Sequence, residues 1–285
     1  MGQKFHRLGH PGNTGDGVRM AQAAGADLWH MNALSCPLGL VVPGLKTALQ
    51  INMLAPSHIY VDQDGKRFVN EKMDNHTCIY GVNLLDAVKH RYPRIPCFVI
   101  FDEEARKRGP IIGGATSGYA LNREDYKWSK DNSAEIEKGV IVSAPTIEEL
   151  AKKINVPAEN LVETVKRWNE QITAGADKDF GRPLEKKGKV AFEGREAPII
   201  SRPIGEGPYY AAELYPAILN TQGGPKRNKL GQVLDPFGNP IPRLYSAGEL
   251  GSMWGHIYQG ATNNSEACVF GRIAGRTAAG EQNWQ

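Results

Sequence analysis

The sequence contains neither GxGxxG after a strand nor GxxxxGK[ST], the two glycine patterns that bring backbone amides close to a phosphate. HExxH, GxSxG and an EF-hand loop are also missing, so metalloprotease, α/β-hydrolase and calcium-sensor chemistry have no support. Cysteine is scarce: Cys36, Cys78, Cys97 and Cys268 form no CxxC pair and no Cys/His spacing suited to zinc, so all four are expected to be buried thiols, with no metal site. No apolar run approaches the roughly 18 residues of a membrane helix. The best stretch, residues 36–45, is interrupted by Pro37, Gly39, Pro43 and Gly44, so no membrane span is expected. The first residues lack an apolar signal core, and His6 stands where a myristoylation signal requires Ser or Thr. A cytoplasmic location is therefore expected, with a signal on a preceding segment left open. A dominant charge sign is absent as well: 34 basic against 31 acidic residues leave +3 with no dense basic stripe, and nucleic acid is not an expected partner.

What is present describes a folded chain. Its 285 residues, 41% hydrophobic and 23% charged, suit two domains or one large domain with an insertion. Residues 12–31 begin with turn formers and then place Val18, Ala21, Gly25 and Leu28 at helical spacing, which predicts a tightly packed small-residue helix. Residues 58–69 alternate around Asp64-Gly65 and predict a β-hairpin. Residues 95–101 read as a buried strand running into a helix after Asp102. Thr146-x-x-Glu149 is a helix-capping pattern, and residues 160–172 are amphipathic through Leu161, Val165 and Trp168, giving two surface helices. Residues 177–207 are polar and read as loop and boundary, after which strands return at 209–214, 233–234 and 243–247 before a helix over about 264–279.

Many of the 32 glycines fall in the last third, where residues 243–275 read as a strand, a glycine-bearing loop and the start of that helix. The start of a helix carries unpaired N–H groups and about half a positive charge, which suits a ligand that becomes anionic. The N1–C2=O edge of a reduced flavin is such a ligand; a tight loop holding nothing has an equal claim on the pattern.

Several segments carry a more specific likeness. Asn13-Thr14-Gly15-Asp16-Gly17 with Arg19-Met20-Ala21, the stretch Gly65-Lys66-Arg67-Phe68-Val69-Asn70-Glu71, Thr221-Gln222-Gly223-Gly224, Leu244-Tyr245-Ser246-Ala247-Gly248-Glu249 and Phe270-Gly271-Arg272-Ile273-Ala274-Gly275 occur in order over nearly the whole chain. In this the chain resembles the superfamily of FAD-dependent fumarate reductases, succinate dehydrogenase flavoproteins and 3-ketosteroid 1-dehydrogenases. Members of that superfamily begin with a dinucleotide-binding unit, so the resemblance implies a C-terminal portion lacking it. The fold implied is α/β: a partial FAD-binding domain, residues 1–57 and 204–285, with an inserted α+β cap domain, residues 58–203, that closes over substrate.

The resemblance also implies roles. Glu249 would contact the FAD, or cap a loop. Gly223 and Gly224 would let the chain pass close to the cofactor, or make an ordinary turn. The backbone amides of Asn264 and Ser265 would face the flavin pyrimidine ring. Fumarate reductases place an arginine where this chain has Tyr258, a histidine where it has Asn220 and a further arginine where it has Asn75, so a dicarboxylate clamp is lost and fumarate is not the expected substrate. Tyr258 instead resembles the ketosteroid dehydrogenases, whose tyrosine and a backbone amide four residues on, here that of Thr262, bind the substrate ketone. The Pro-Gly-Pro-Gly that follows that tyrosine in the steroid enzymes is here Gln259-Gly260-Ala261-Thr262, which leaves steroids as one option among enones and other activated alkenes. Arg106 resembles the cap arginine that acts as the acid; Tyr119, Tyr80 and His256 are left open as alternatives, as is a solvated Arg106.

The expected protein is therefore an FAD-dependent oxidoreductase that reduces or introduces a C=C bond next to a carbonyl, exchanging hydride with flavin N5. The alternative is a non-catalytic fragment or subunit that binds FAD only with a complementary chain supplying the missing unit. Expected partners are a small-molecule substrate with an activated C=C bond and such a complementary chain. Apolar faces at residues 18–26 and 41–45 are expected to be exposed without the missing unit, so a homo- or hetero-oligomer is expected.

Overall fold

In a computed structural model, residues 4–72, 78–112, 126–185, 199–255 and 262–282 are described. In chain order the elements are β1 (His6–Arg7), α1 (Asp16–Ala23), β2 (Leu28–Trp29), β3 (Leu34–Ser35), β4 (Leu38–Leu40), β5 (Leu49–Gln50), β6 (His58–Val61), α2 (Cys78–Val82), β7 (Cys97–Phe101), α3 (Glu103–Lys107), α4 (Ser133–Glu137) and β8 (Val142–Ala144). There follow α5 (Ile147–Lys153), α6 (Ala158–Thr173), β9 (Tyr209–Ile218), β10 (Asn220–Thr221), β11 (Gly224–Pro225), β12 (Gln232–Leu234), β13 (Pro240–Tyr245) and α7 (Thr262–Ala279). This is a mixed α/β fold with antiparallel strand pairs. The chain divides into two compact units, Met1–Leu8 with Pro37–Ala217 and Gly9–Cys36 with Ile218–Gln285. That partition follows compactness. The division expected from the sequence follows which residues would hold a cofactor, so the two rest on different criteria.

The first unit is organised by a sheet that runs β5-β4-β9-β7-β6 among the described residues, with β1 and β8 also paired to β9. Strand alternation sorts its side chains into two layers. Cys97, Val99 and Phe101 of β7 and Tyr210, Ala212 and Leu214 of β9 join one apolar cluster, with Val82 of α2 and Ala105 of α3. Phe98 and Ile100 join the other, against Leu150 and Ala151 of α5 and Leu161, Val165 and Trp168 of α6. All five residues of β7 are buried because helices or loops cover both faces of this central strand. Both amphipathic helices form as expected; Thr146 caps α5 by accepting a hydrogen bond from the Glu149 amide at 3.2 Å.

Three expectations require correction. The helix anticipated across residues 12–31 is only α1, because Gly25 (φ 87°) ends it and Leu28–Trp29 pairs with β11 as a strand. The Asp64-Gly65 turn forms, but its second arm has only a Val61↔Arg67 bridge, since Phe68 and Val69 leave the ladder to enter the core. Cys268, on α7, is exposed, unlike Cys36, Cys78 and Cys97.

The polar stretch after residue 177 is also more than a boundary. Arg182 is 1% exposed and donates to the carbonyls of His58 at 2.6 Å, Pro56 at 3.0 Å and Ile200 at 2.6 Å. Beside it Arg67 donates to both oxygens of Glu71 at 2.9 Å and to both oxygens of Asp177 at 3.1 and 3.0 Å, with its guanidinium 4.4 Å from the Trp168 ring centroid. Buried guanidinium groups persist here because each has several acceptors. In the two stretches expected to expose apolar faces, Ala21 and Val42 are buried, whereas Met20 and Val41 are exposed.

Candidate functional site

The second unit contains β2, β3, β10 to β13, α1 and α7. Its loop from Ser246 to Gly255 is fixed by one buried ion pair. Arg227 donates to the carbonyls of Leu250 at 2.9 Å and Gly248 at 3.0 Å and to the Glu266 carboxylate; both side chains are 1% exposed. Glu266 in turn accepts from the Ser252 hydroxyl at 2.6 Å and the Met253 amide at 2.7 Å. The loop is thereby tied to α7 at side chains that neither strand nor helix periodicity would reveal.

Further ties come from the strands. The Trp29 indole N–H donates to the Gly251 carbonyl at 3.0 Å, and His30 Nδ1 donates to the Ser252 carbonyl at 2.7 Å, which fixes its tautomer. Gly224 has φ 153°, and a Cβ there would lie 2.5 Å from the Gly251 nitrogen; at Gly223 it would lie 2.9 Å from the Met31 Cα. Among the described residues, both glycines therefore permit close approach to the chain itself.

Glu249 lies on this loop, and among the described residues no cation is paired with it. Its carboxylate accepts from the side-chain amides of Asn220 and Asn263, and Gln222 donates to the Asn220 oxygen at 3.2 Å. Burial pushes the Glu249 pKa above the ordinary carboxylate range; the two amides pull it back, and Glu266 adds to the rise. Asn220, read from sequence as a lost substrate cation, thus has its amide engaged by Glu249. Asn264 and Ser265 sit in the first turn of α7 with exposed side chains, and Thr262 is the helix's first residue. Asn263, Arg227 and Glu266 were not singled out from sequence. Only the adjacency of Asn263 to Asn264 hinted at any of them.

Arg106 belongs to the first unit. Glu103 binds it bidentately at 2.6 and 2.7 Å, the Asp131 carbonyl accepts from it at 2.9 Å, and its pKa is raised chiefly by the Glu103 contact. Glu103 itself falls to about 2, because the Arg106 contact outweighs its partial burial. Tyr80 lies on α2 and is 42% exposed. Asn75, Tyr119, His256 and Tyr258 lie outside the described residues.

A profile of the FAD binding domain family matches residues 1–265. The chain belongs to this FAD-binding family. It is 32% identical to a 3-oxosteroid 1-dehydrogenase of Mycolicibacterium smegmatis, a match covering 94% of this chain and 46% of that protein. It is 30% identical to a fumarate reductase (cytochrome) of Shewanella frigidimarina, covering 96% and 41%. Its structure is similar to that of 3-ketosteroid delta1-dehydrogenase from Sterolibacterium denitrificans, at a TM-score of 0.74 and 28% identity over 95% of this chain and 48% of that one. The chain thus spans a little under half the length of each of these three relatives.

The FAD-binding assignment can be tested on the second unit itself. Three buried polar side-chain atoms there have no hydrogen-bond partner among the described residues: Arg227 Nε and the Trp254 indole N–H, both donors, and Asn263 Oδ1, an acceptor. Asn263 Oδ1, at the start of α7 and beside Glu249, provides a buried acceptor for a donor N–H or O–H of a polar ligand, so the residues present fit FAD.

Proposed function

We propose that this chain is part of an FAD-dependent oxidoreductase that reduces or introduces a C=C bond next to a carbonyl, with residues 58–203 as the cap and residues 1–57 and 204–285 holding cofactor. The observation that carries this reading is the unpartnered, buried Asn263 Oδ1 beside Glu249 at the start of α7, in a chain similar along nearly its whole length to flavin enzymes of this kind. Bound FAD would supply the hydride acceptor or donor at N5. Glu249, Gly223, Gly224, Asn264 and Ser265 would hold it. The Tyr258 phenol and the Thr262 amide would donate to the substrate carbonyl oxygen and stabilise the charge that builds there. Arg106, kept charged by Glu103, would be the cationic side chain of the cap, and His256 a proton carrier beside Tyr258.

An enone or ketosteroid-like substrate suits the chain better than fumarate, because the Asn220 amide is engaged by Glu249 and Tyr258 carries no positive charge. The test is a visible spectrum followed by turnover of an enone panel against fumarate. A flavin band and faster enone turnover support the reading; faster fumarate turnover defeats the substrate assignment. In the flavin-loaded protein, Tyr258→Phe should lower turnover by about 10² to 10³ with less effect on substrate binding. A chain that is colourless alone and takes up FAD only with a complementary polypeptide would favour the non-catalytic subunit, a reading consistent with its spanning under half of its relatives.

A further inference from the structure

Asn263 stands at the start of α7, an 18-residue helix, and is 8% exposed. Its side-chain amide is oriented by chemistry: the Nδ2 group donates to Glu249, and a flipped amide would set its oxygen against that carboxylate. Oδ1 is therefore held away from Glu249. It is buried, and no described residue donates to it. An acceptor buried in this way destabilises a protein unless a donor arrives from elsewhere, and such atoms in native structures call for an unseen partner.

We propose that Asn263 is a specificity residue of the cofactor site, and that its Oδ1 accepts a hydrogen bond from the imide N–H of the isoalloxazine ring. This rests on the flavin reading above. The ring N–H at position 3, flanked by two carbonyls, is carried by oxidised and reduced flavin alike, so the contact serves both states. Asn220 and Asn263 share the task of holding Glu249, but only Asn263 has a second polar atom left over for the ligand. The ribityl hydroxyls are the other donors FAD offers, and the experiment separates them.

The protein, alone and joined with a polypeptide that completes its FAD-binding domain, is titrated with FAD and with 3-methyl-FAD, in which the imide hydrogen is replaced. Wild type should bind FAD at least about tenfold more tightly than the methylated cofactor. Asn263→Ala should weaken FAD binding by about tenfold and largely abolish that preference. Asn220→Ala removes the other Glu249 donor yet leaves Asn263 Oδ1 in place, so the preference should survive. Retention of the full preference by Asn263→Ala overturns the proposal, as does equal weakening for both cofactors, which would assign the oxygen to a ribityl hydroxyl. Failure of every wild-type form to bind FAD overturns the flavin reading and the proposal with it.

Discussion

The two compact units hold together by different means. Both apolar clusters lie within residues 38–214, so the first unit is a packed sheet with helices against it. Among the described residues of the second unit the buried apolar side chains are those of Ala21, Ala33, Cys36, Pro225, Val233 and Ala274, and most are small. Its interior instead contains Arg227, Glu266, Asn263, Gln222, Ser246 and Ser252. Apolar packing is non-directional and stabilises whatever shape fills space. Hydrogen-bonded ions are directional, and they fix where a loop's carbonyls and amides point. The unit with the better candidate site is the one whose geometry is set by direction, as a ligand cradle requires.

The strongest way to break this comparison is Arg227→Met. Glu266 would be left buried and uncompensated, at a cost of about 3–5 kcal/mol. Residues 246–254 and α7 should lose protection in amide hydrogen exchange while β7 and β9 keep theirs. Unchanged exchange across α7 would show that the ion pair does not hold the loop. Trp168→Ala probes the other side. It empties the middle of the second apolar cluster, removes the ring under Arg67 and should cost about 3–5 kcal/mol by urea denaturation. Its effect on exchange in α7 should be small.

The same contrast explains what was legible in the sequence. Apolar packing writes itself as periodicity and apolar runs, so α6 and β7 could be placed from Leu161, Val165, Trp168 and the 95–101 run, and the start of β9 from the 209–214 run, while α5 was marked by its Thr146-x-x-Glu149 cap. Ionic networks leave no period. Arg182 falls in the stretch read as polar loop and Arg227 drew no reading, yet both are buried, because most of their acceptors are backbone carbonyls that every sequence has. Glu249 and the first turn of α7 were legible through resemblance to a family. Asn263 was not, since its significance lies in one oxygen without a partner.

Acid titration sharpens the comparison with opposite signs. In the first unit Glu103 drops to about 2 when folded, chiefly through Arg106, so its contribution to stability is present above the ordinary glutamate pKa and is lost as pH falls toward about 2. In the second unit the Glu249 pKa is raised by burial, so its contribution is present below the ordinary value and is lost as pH rises through the folded one. Glu103→Gln should flatten the acid loss of protection in α3 and β9. Glu249→Gln should flatten a change of opposite direction in residues 246–254. Exchange rates corrected for intrinsic pH dependence, compared at several pH values, check both; the same sign in the two regions would be the failing result.

The smallest expected effect concerns helix starts. In α5 the Thr146 hydroxyl accepts from the Glu149 amide, satisfying a donor that the helix itself cannot. Thr146→Ala should therefore cost about 1 kcal/mol, read as faster exchange in the first turn of α5. In α1 the N-cap is Gly15 at φ 77° with no side-chain cap, and the nearby Thr14 hydroxyl donates instead to the exposed Asp16 carboxylate at 2.8 Å. That bond competes with water and satisfies no helix amide, so Thr14→Ala should stay within about 0.5 kcal/mol of wild type. If the two substitutions cost the same, the start of α1 draws on its neighbouring side chains as α5 does, and the second unit is less dependent on its interior polar network than its buried residues indicate.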